Sequence, residues 1–548
     1  MPTYFVGPGG NNANSGLSWA LRKATLNGAE DIPLVSGDEV IVGPGTYRET
    51  LTVDVSGGSL YTTGTVAVTQ GSKIVTGTGT TFTGNVFANG QFQIRGLTLT
   101  SYVTTFADSP YEIESVDSNT QITLKKEYQG PTATGASYRT WRDIKYIGDR
   151  TGELTDGIGG QVRITGSDND QTATRANCIT STTRDYRTWR GFSFDTCTGV
   201  LFNETNSVHN GFIIEDCTFL PAGSNSVQIN IAGTGGHQTV RRCFFFQNRT
   251  TACNLSVSTV SDNSENLVES CVFVGITSSA VAISRYGGVR VRNCHMIGCG
   301  FCVRVATAPN VGQTNFAHNN IFSGGSAAAQ GATAVATNED LMENYNNFFA
   351  NSTDRTNCNV GANSTAYQPL YQMPLLLNNG RMEPWNIFQL QAASGLRDIA
   401  GSNPAPYDLW GVVRGTVGVN GSWGGVQSQP LVTRNDNAGD IEWKIGGRGK
   451  AWGEVLVQDN TAYTITVKVR WDDNANMGIK PSVKLLDDYG VSVAEVFATG
   501  TGGEETLTVG PFTPQVGNDR NGIMILELRN NCTHSSDIAV YYDDLTVS

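Results

Sequence analysis

Four carboxylates are the candidates for acid–base chemistry in this sequence: Glu215, Asp262, Glu265 and Glu269. Two carboxyl groups about 5 to 9.5 Å apart can hydrolyse a glycosidic bond when one of them has a raised pKa and acts as the acid. Glu215 and Glu269 share one position of a repeating pattern, which alternates between acidic and basic residues. Its occupants in chain order are Glu215, Arg241, Glu269, Arg292, His318 and Tyr345. An arginine on either side keeps a carboxylate ionised, so the pattern favours a structural charge ladder and leaves catalysis as the alternative.

A polar turn is the candidate for a calcium site. Asp168 and Asp170 lie in the stretch Gly166-Ser-Asp-Asn-Asp170, and carboxylate oxygens are ligands that Ca²⁺ prefers. Turns of this composition are common without a bound ion. We therefore expect no cofactor and no metal, with Ca²⁺ at these two residues as the alternative.

The repeat that carries the charges is marked by a small residue followed two positions later by a large apolar one. This slot is occupied by Cys217, Cys243, Cys271, Cys294, Asn320 and Asn347, at intervals of 26, 28, 23, 26 and 27 residues. Such intervals, with short β-branched segments on both sides of a bend, predict a parallel β-helix with two strands in each coil. Equivalent side chains of successive coils then stack about 4.8 Å apart. We therefore expect the cysteines to form a buried column of reduced thiols.

A second group of thiols, Cys294, Cys299 and Cys302, lies close to His295 in the sequence. A zinc site would need a second pair of ligands at a suitable spacing. His295 also occupies a position whose side chain should face outward from the coil. The sequence therefore predicts no metal at this cluster.

Composition limits the partners. The chain has 548 residues with 64 Gly, 16% charged residues and a formal net charge of −12, so a sequence-independent grip on nucleic acid or an anionic membrane is not expected. The first residues lack a basic region followed by an apolar run, and no segment reaches the ~20 apolar residues of a membrane span. We expect no signal peptide and no membrane insertion.

Two segments near the start carry a family resemblance. Residues 4–19, which begin Tyr4-Phe-Val-Gly-Pro-Gly, precede a predicted short helix around residues 20–26. They are followed by Gly37-Asp-Glu-Val-Ile-Val-Gly-Pro-Gly-Thr-Tyr47. These segments resemble the opening of the pectate-lyase-like superfamily of right-handed parallel β-helix proteins, and residues 406–425 resemble its closing segment. The resemblance implies the fold but not one activity, because the superfamily includes lyases, hydrolases and proteins without catalysis.

The segment from about 60 to 139 interrupts this pattern with short strands of its own. It contains Gly64-Thr-Val-Ala-Val68, Gly77-Thr-Gly-Thr-Thr-Phe82 and a Gly-rich stretch that ends at Tyr138. These pieces resemble small β-barrel modules that recur in bacteriophage tail and virion proteins. The resemblance implies a virion protein, and a surface elaboration of a bacterial enzyme is the alternative.

The last 120 residues or so have a different pattern of apolar and polar residues. Apolar residues alternate with polar ones from Tyr463 to Arg470, which is typical of a half-buried antiparallel strand. The ending Tyr542-Asp-Asp-Leu-Thr-Val547 resembles the last strand of jelly-roll carbohydrate-binding modules. Aromatic side chains can stack on sugar rings, and the candidates for carbohydrate binding here are Trp452, Trp471 and Tyr489. A tryptophan in a β-sandwich is more often part of its core or rim, and this is the alternative.

Together these observations predict an all-β protein. Its parts are the opening and cap of a right-handed parallel β-helix (1–59), an inserted small β-barrel module (60–139), the β-helix with its closing segment (140–429) and an antiparallel β-sandwich of jelly-roll type (430–548). The predicted function is a bacteriophage virion protein, as a tail fibre, tailspike or capsid-decorating protein, which binds glycans without catalysis. The alternative is a polysaccharide-degrading tailspike or a bacterial polysaccharide lyase or glycosidase. The predicted location is the virion, assembled in the host cytoplasm, and the predicted partners are two further copies in a homotrimer, other virion proteins and host or environmental surface glycans.

Overall fold

The computed structural model describes most of the solenoid and the inserted barrel, together with the strands of the C-terminal part. The described residues are 2–98, 105–106, 108–157, 160–169, 172–181, 184–205, 211–220, 227–233, 237–246, 250–257, 266–284, 288–305, 315–330, 341–366, 432–437, 440–445, 450–456, 462–471, 480–486, 492–499, 503–513, 523–529 and 540–547. Among them, no helix is long and apolar enough to cross a membrane.

The solenoid consists of three parallel sheets, which the chain visits in turn once per coil. In the described residues, sheet A contains Thr3–Val6, Glu39–Val42, Ile144–Gly148, Arg187–Arg190, Ile213–Glu215, Thr239–Arg241, Asn266–Glu269, Val289–Arg292, Asn315–His318, Leu341–Asn344 and Asn359–Val360. Sheet B contains Gly45–Tyr47, Val162–Thr165, Ser193–Asp195, Thr218–Phe219, Phe244–Phe246, Val272–Val274, His295–Ile297, Ile321–Ser323 and Asn347–Phe349. Sheet C contains Leu51–Val53, Ile179–Ser181, Phe202–Thr205, Ile229–Gly233, Cys253–Val257, Ser279–Ser284, Phe301–Val305, Ala327–Gln330 and Arg355–Thr356. The predicted parallel β-helix is confirmed by this pairing.

Each coil therefore has three strands, whereas the sequence pattern predicted two. Sheets A and B flank the bend beside the slot, as expected. Sheet C is the strand that the pattern missed, because its distance from sheet B varies. Nine residues separate Thr218–Phe219 from Ile229–Gly233, but only three separate His295–Ile297 from Phe301–Val305. A connection of changing length leaves no fixed spacing in the sequence.

The interior of the solenoid is a stack of apolar side chains. Four phenylalanines in sheet B, Phe194, Phe219, Phe245 and Phe273, lie ring on ring with centroids 5.0, 4.8 and 4.5 Å apart. These separations match the spacing of hydrogen-bonded strands. The side chains inside one coil thus pack on the same residue type in the next, which stabilises the register of the whole stack.

The bend between sheets A and B places one residue per coil in the left-handed region. The φ values are 56, 52, 53, 52, 57 and 54° at Asp216, Arg242, Ser270, Asn293, Asn319 and Tyr345. Tyr345 therefore belongs to the bend and not to the charged column, in which it was predicted. Asn344 takes that place, because it pairs with His318 in sheet A.

The same one-residue change of register alters which residue is the last member of the slot. Asn346 occupies the position equivalent to Asn320, whereas Asn347 pairs with Ile321 in sheet B. Asn346 donates from Nδ2 to Ala317 O at 2.7 Å, just as Asn320 donates to Val291 O at 3.0 Å. The prediction of Asn347 was wrong by one residue, because both asparagines precede a phenylalanine that fits the motif.

The entrance of the solenoid is covered by a short helix, Leu26–Glu30, after the 3₁₀ turn Trp19–Leu21. The predicted helix around residues 20–26 was therefore placed too early. Thr25 starts the helix, because its side chain accepts a hydrogen bond from Gly28 N and satisfies a donor of the first turn. Leu26 and Ala29 are buried against the first coil.

The insertion is a small closed barrel. Its strands are Gly58–Tyr61, Thr65–Val68, Ile74–Thr78, Gln91–Arg95, Tyr111–Ser118, Gln121–Leu124 and Ala133–Arg142, with a two-stranded ribbon of Leu97–Thr98 and Thr105–Phe106 beside them. Ala133–Arg142 pairs with both Thr65–Val68 and Gln91–Arg95, which closes the ring. In the chain the barrel lies between Leu51–Val53 of sheet C and Ile144–Gly148 of sheet A. It has a core of its own, in which Phe82 and Tyr138 meet edge to face.

The C-terminal part is a sandwich of two antiparallel sheets. One contains Val432–Asn437, Asp440–Ile445, Val540–Val547, Tyr463–Trp471 and Gly503–Phe512, and the other Lys450–Leu456, Ile523–Arg529, Ser482–Leu486 and Ser492–Phe497. Trp471 is 2% exposed and lies in the shared core with Ile465 and Leu485. Of the two alternatives for Trp471, the structure supports the core position, because a ring buried between the sheets offers no face to a sugar.

Candidate functional site

The charged column of sheet A faces the inserted barrel rather than solvent. The three residues 108–110, which lead into the barrel strand Tyr111–Ser118, form a docking segment along the column. Arg241 donates from Nη1 to Pro110 O at 2.7 Å, and Arg292 Nη2 lies 3.0 Å from Asp108 Oδ1. These contacts join residues more than 130 positions apart in the chain. The barrel is thus fixed to the outer face of successive coils.

Two further contacts extend this interface along sheet A. On one side, Lys145 forms an ion pair with Glu112 of the barrel, and the side chain of Lys145 is almost fully buried. On the other side, Phe316 of sheet A is part of the barrel's apolar core, and Met342 packs against that core. The interface therefore combines ionic and apolar contacts.

Glu215 is surrounded by arginines. Its Oε1 accepts from Arg190 Nε at 2.5 Å, and its Oε2 accepts from Arg241 Nε at 2.6 Å and from Arg242 Nη2 at 2.8 Å. Burial alone would raise the pKa of this carboxyl, but the three guanidinium groups outweigh burial and hold its pKa well below the ordinary value. Glu215 is therefore ionised at neutral pH.

Glu269 has a similar environment two coils further along. Arg292 donates from Nε to Oε2 at 2.7 Å, and Ser109 of the docking segment donates to Oε1. Burial would raise the pKa of Glu269, and the charges of Arg292 and Arg241 together with the hydrogen bond from Ser109 lower it below the ordinary value. Both carboxylates of the column are thus saturated with donors.

The column changes character at His318. Its Nε2 accepts a hydrogen bond from Arg290 Nε at 2.9 Å. Burial, followed by the charges of Arg290 and Arg292, lowers the pKa of His318 well below its usual range. The imidazole is therefore neutral at pH 7 and acts as an acceptor.

These environments argue against acid–base catalysis by the column. Two coils at about 4.8 Å each place Glu215 and Glu269 about 10 Å apart, close to the upper limit for an inverting glycosidase. A general acid, however, needs a raised pKa and access to the substrate. Glu215 and Glu269 have lowered pKa values and are buried.

A cleft opens where the barrel meets the bend beside Glu215. Its volume is about 230 Å³, and it is lined by Pro110, Tyr111, Glu112, Lys125, Lys126, Arg190, Glu215, Asp216, Arg241 and Arg242. Five of these residues are basic and three are acidic. Of the four predicted carboxylates, Glu215 lines this cleft.

The other predicted site residues have different surroundings. Asp262, Glu265 and Tyr489 lie outside the described residues, and so does Asp170. Trp452 belongs to the strand Lys450–Leu456 of the sandwich. Asp168 lies 2.6 Å from Arg175 Nη2, and this hydrogen-bonded partner lowers its pKa. No group of three or more potential metal ligands occurs in the described part of the chain.

The slot residues serve the stacking of the coils. Cys217, Cys243, Cys271 and Cys294 are buried free thiols. Each lies 3.6 to 3.8 Å from the carbonyl oxygen of the preceding coil to which Asn320 and Asn346 donate in theirs. Cysteine and asparagine are interchangeable here because both direct a donor at the same carbonyl group. His295, which was expected to face solvent, is fully buried.

Comparison with known proteins gives structural similarity only. No protein-family model and no curated protein matches the sequence. Pectate lyase Pel9A is similar at 15% identity, over 78% of this chain and 97% of that chain, with a TM-score of 0.33. The tailspike protein gp49 from Pseudomonas phage LKA1 is similar at 12% identity over 93% and 87% of the two chains, with a TM-score of 0.22. A CBM4 module is similar at 19% identity over 21% of this chain and 77% of its own, with a TM-score of 0.17. The fold assignment rests on the strand pairing described above.

The charged column is evident in the sequence, but the segment that covers it is not. The docking segment is a short stretch, Asp108-Ser-Pro110, with no periodicity and no motif. Its partners in sheet A lie 131 to 184 residues later in the chain. The only local signal is a run of polar residues directly before a strand, and such a run is usually a turn.

Proposed function

We propose that this protein is a glycan-binding structural component of a bacteriophage virion, and that the charged column of its β-helix is not catalytic. The burial of Glu215 and Glu269 among arginines beneath the barrel supports the proposal that the column is not catalytic. The column stabilises the attachment of the barrel, because removal of either carboxylate would leave buried cations without a counter-charge.

Architecture and sequence resemblance support the proposed role as a glycan-binding virion protein. A rigid solenoid with an inserted barrel of the kind found in phage virion proteins suits an external particle protein. The C-terminal sandwich, whose last strand resembles that of carbohydrate-binding modules, supplies a domain for glycan recognition. In this proposal the protein is a homotrimer, resides in the virion with other virion proteins and contacts surface glycans of the host or its environment.

The test is incubation of the purified chain with a panel of bacterial surface polysaccharides. Retention would be measured on immobilised polysaccharide, and cleavage would be measured as new reducing ends and as the ultraviolet absorbance of unsaturated uronates. We expect retention of at least one polysaccharide without either product. Cleavage that disappears in Glu215→Gln or Glu269→Gln, while circular dichroism shows that the variant is still folded under the assay conditions, would contradict the assignment of the column. Cleavage that persists in both variants would place catalysis elsewhere and make the protein a depolymerase.

The oligomeric state is tested separately by light scattering at micromolar concentration. We expect the mass of three copies of the 58.6 kDa chain. A stable monomer under these conditions would remove the homotrimer from the proposal and leave the glycan-binding test unaffected.

A further inference from the structure

The cleft between the barrel and the bend has a charge opposite to that of the whole protein. Its lining includes five basic and three acidic side chains, an excess of two positive charges. The chain as a whole has a formal net charge of −12. Positive potential concentrated in a concave site attracts anions and favours their binding over that of neutral molecules.

Several donors at the cleft remain available for a ligand. Lys125 uses one donor on Glu112 at 2.9 Å, and its side chain is 40% exposed. Arg190 binds Glu215 through Nε and Nη2, and Arg242 binds Glu215 and Asp216 through the same two nitrogens. Nη1 of Arg190 and Nη1 of Arg242 therefore have no hydrogen-bond partner among the described residues. Guanidinium nitrogens and lysine ammonium groups are the donors that bind carboxylate, sulfate and phosphate oxygens.

Lys126 also lines the cleft. Burial lowers the pKa of its ammonium group, and the nearby charge of Arg242 lowers it further. Asp216 and Glu215 act in the opposite direction, but the pKa remains below the ordinary value. An anion bound beside these groups would relieve the repulsion between the cations.

The size of the cleft limits the ligand. A volume of about 230 Å³ is below the range of about 300 to 1,000 Å³ for drug-sized ligands. One sugar ring or a small oxyanion fits this space, whereas several rings of a polysaccharide do not. Pro110 and Tyr111 also line the cleft.

We propose that this cleft binds the oxyanion of a single acidic sugar residue, through Lys125, Arg190 and Arg242. The inference rests on the proposed glycan-binding function and adds the class of sugar to it. Recognition would be electrostatic, so binding should weaken as the salt concentration rises. The acidic residue would enter from a chain whose neighbouring sugars remain outside the cleft.

The test uses two ligands that differ in one group, methyl β-glucuronide and methyl β-glucoside, titrated into the full chain by calorimetry. We expect binding of the glucuronide and not of the glucoside. Lys125→Gln should weaken glucuronide binding roughly 3- to 5-fold, as expected for one partly exposed ion pair, and Lys125→Arg should retain it. Lys125→Gln should fold normally, because Glu112 keeps Lys145 as a buried partner.

Lys73→Gln is the matched control. Lys73 lies on the same barrel, is 45% exposed and forms an ion pair with Glu114 at 3.4 Å, but it does not line the cleft. The Lys73→Gln substitution should leave glucuronide affinity unchanged. Equal losses in the two variants, or equal binding of the two sugars, would overturn the proposal.

Inorganic sulfate tests whether the cleft recognises the sugar or only its negative charge. If sulfate binds as tightly as the glucuronide and competes with it, the site is one for a free oxyanion and the sugar part of the proposal is wrong. If polysaccharides are retained by the chain but the glucuronide does not bind, the cleft proposal fails and the glycan-binding function stands. If no polysaccharide is retained either, both fail.

Discussion

The outward columns of sheets A and C are built from the same coils but carry different chemistry. In sheet A the column is charged, alternates in sign and is buried beneath the barrel. In sheet C the equivalent column contains three stacked asparagines that are half-buried. Asn254 donates to Asn230 Oδ1 at 2.8 Å, and Asn230 donates to Asn203 Oδ1 at 3.1 Å.

The difference shows how coverage determines which residues can stack. Equivalent side chains lie about 4.8 Å apart in both columns, but water screens the interaction between charges where they are exposed. An amide has both a donor and an acceptor, so identical amides can stack without any external partner. Charged groups under a barrel cannot be solvated by bulk water, so each one needs a counter-charge in the next coil or in the barrel.

We expect the largest loss of stability from Glu269→Gln. Glutamine has no negative charge to pair with Arg292, and its single amide oxygen replaces the two carboxylate oxygens that accept from Arg292 and Ser109. We expect a loss of about 3 to 5 kcal/mol in the free energy of unfolding, as is typical when one partner of a buried ion pair is removed. Denaturant unfolding at pH 7 measures this.

Glu114→Gln is the control for that variant. Glu114 also forms an ion pair on the barrel, but its side chain is 52% exposed. The change should be within about 0.5 kcal/mol of zero. A loss as large as that of Glu269→Gln would mean that burial is not the cause.

An intermediate effect is expected from pH. The folded-state pKa values of Glu215 and Glu269 lie below the ordinary value of 4.5. Their contribution to stability is therefore complete above about pH 4.5 and is lost as the pH falls through the folded-state values. We expect the thermal midpoint to fall between pH 5 and pH 3, and to fall less in Glu269→Gln, because glutamine does not titrate. An identical pH dependence in both proteins would contradict the role of Glu269.

The smallest loss of stability should come from a change in the asparagine column of sheet C. Asn230→Ala removes two hydrogen bonds between half-buried, uncharged amides. We expect a loss of about 0.5 to 1 kcal/mol and an unchanged pH dependence. A loss of several kcal/mol would show that the amide ladder of sheet C is as important as the charges of sheet A.

The sequence predicted the solenoid and the alternating charges well, because both depend on spacing within the chain. It could not predict the cover, because the docking segment and its partners are far apart in sequence and share no pattern. The burial of Trp471 was available from the sequence. The alternation Tyr463, Ile465, Val467 and Val469 extends by two residues to Trp471, which places that ring in the core.

The register near the end of the solenoid was a harder case. Asn346 and Asn347 both precede a phenylalanine, and a single-residue shift changes which face each side chain occupies. Only the hydrogen bonds between coils distinguish them. Asn346 Oδ1 accepts from Asn320 N at 3.0 Å, a contact that no spacing in one sequence can indicate.

The position of the barrel in the chain has a consequence for biosynthesis. The barrel ring is complete once Arg142 has left the ribosome, whereas the sheet A strands that it covers end at Asn344. At about 5 to 20 residues per second, the intervening 200 residues or so take about 10 to 40 s to translate. The barrel has an apolar core of its own, so it can fold during this interval. Each new coil would then meet a surface that is already folded.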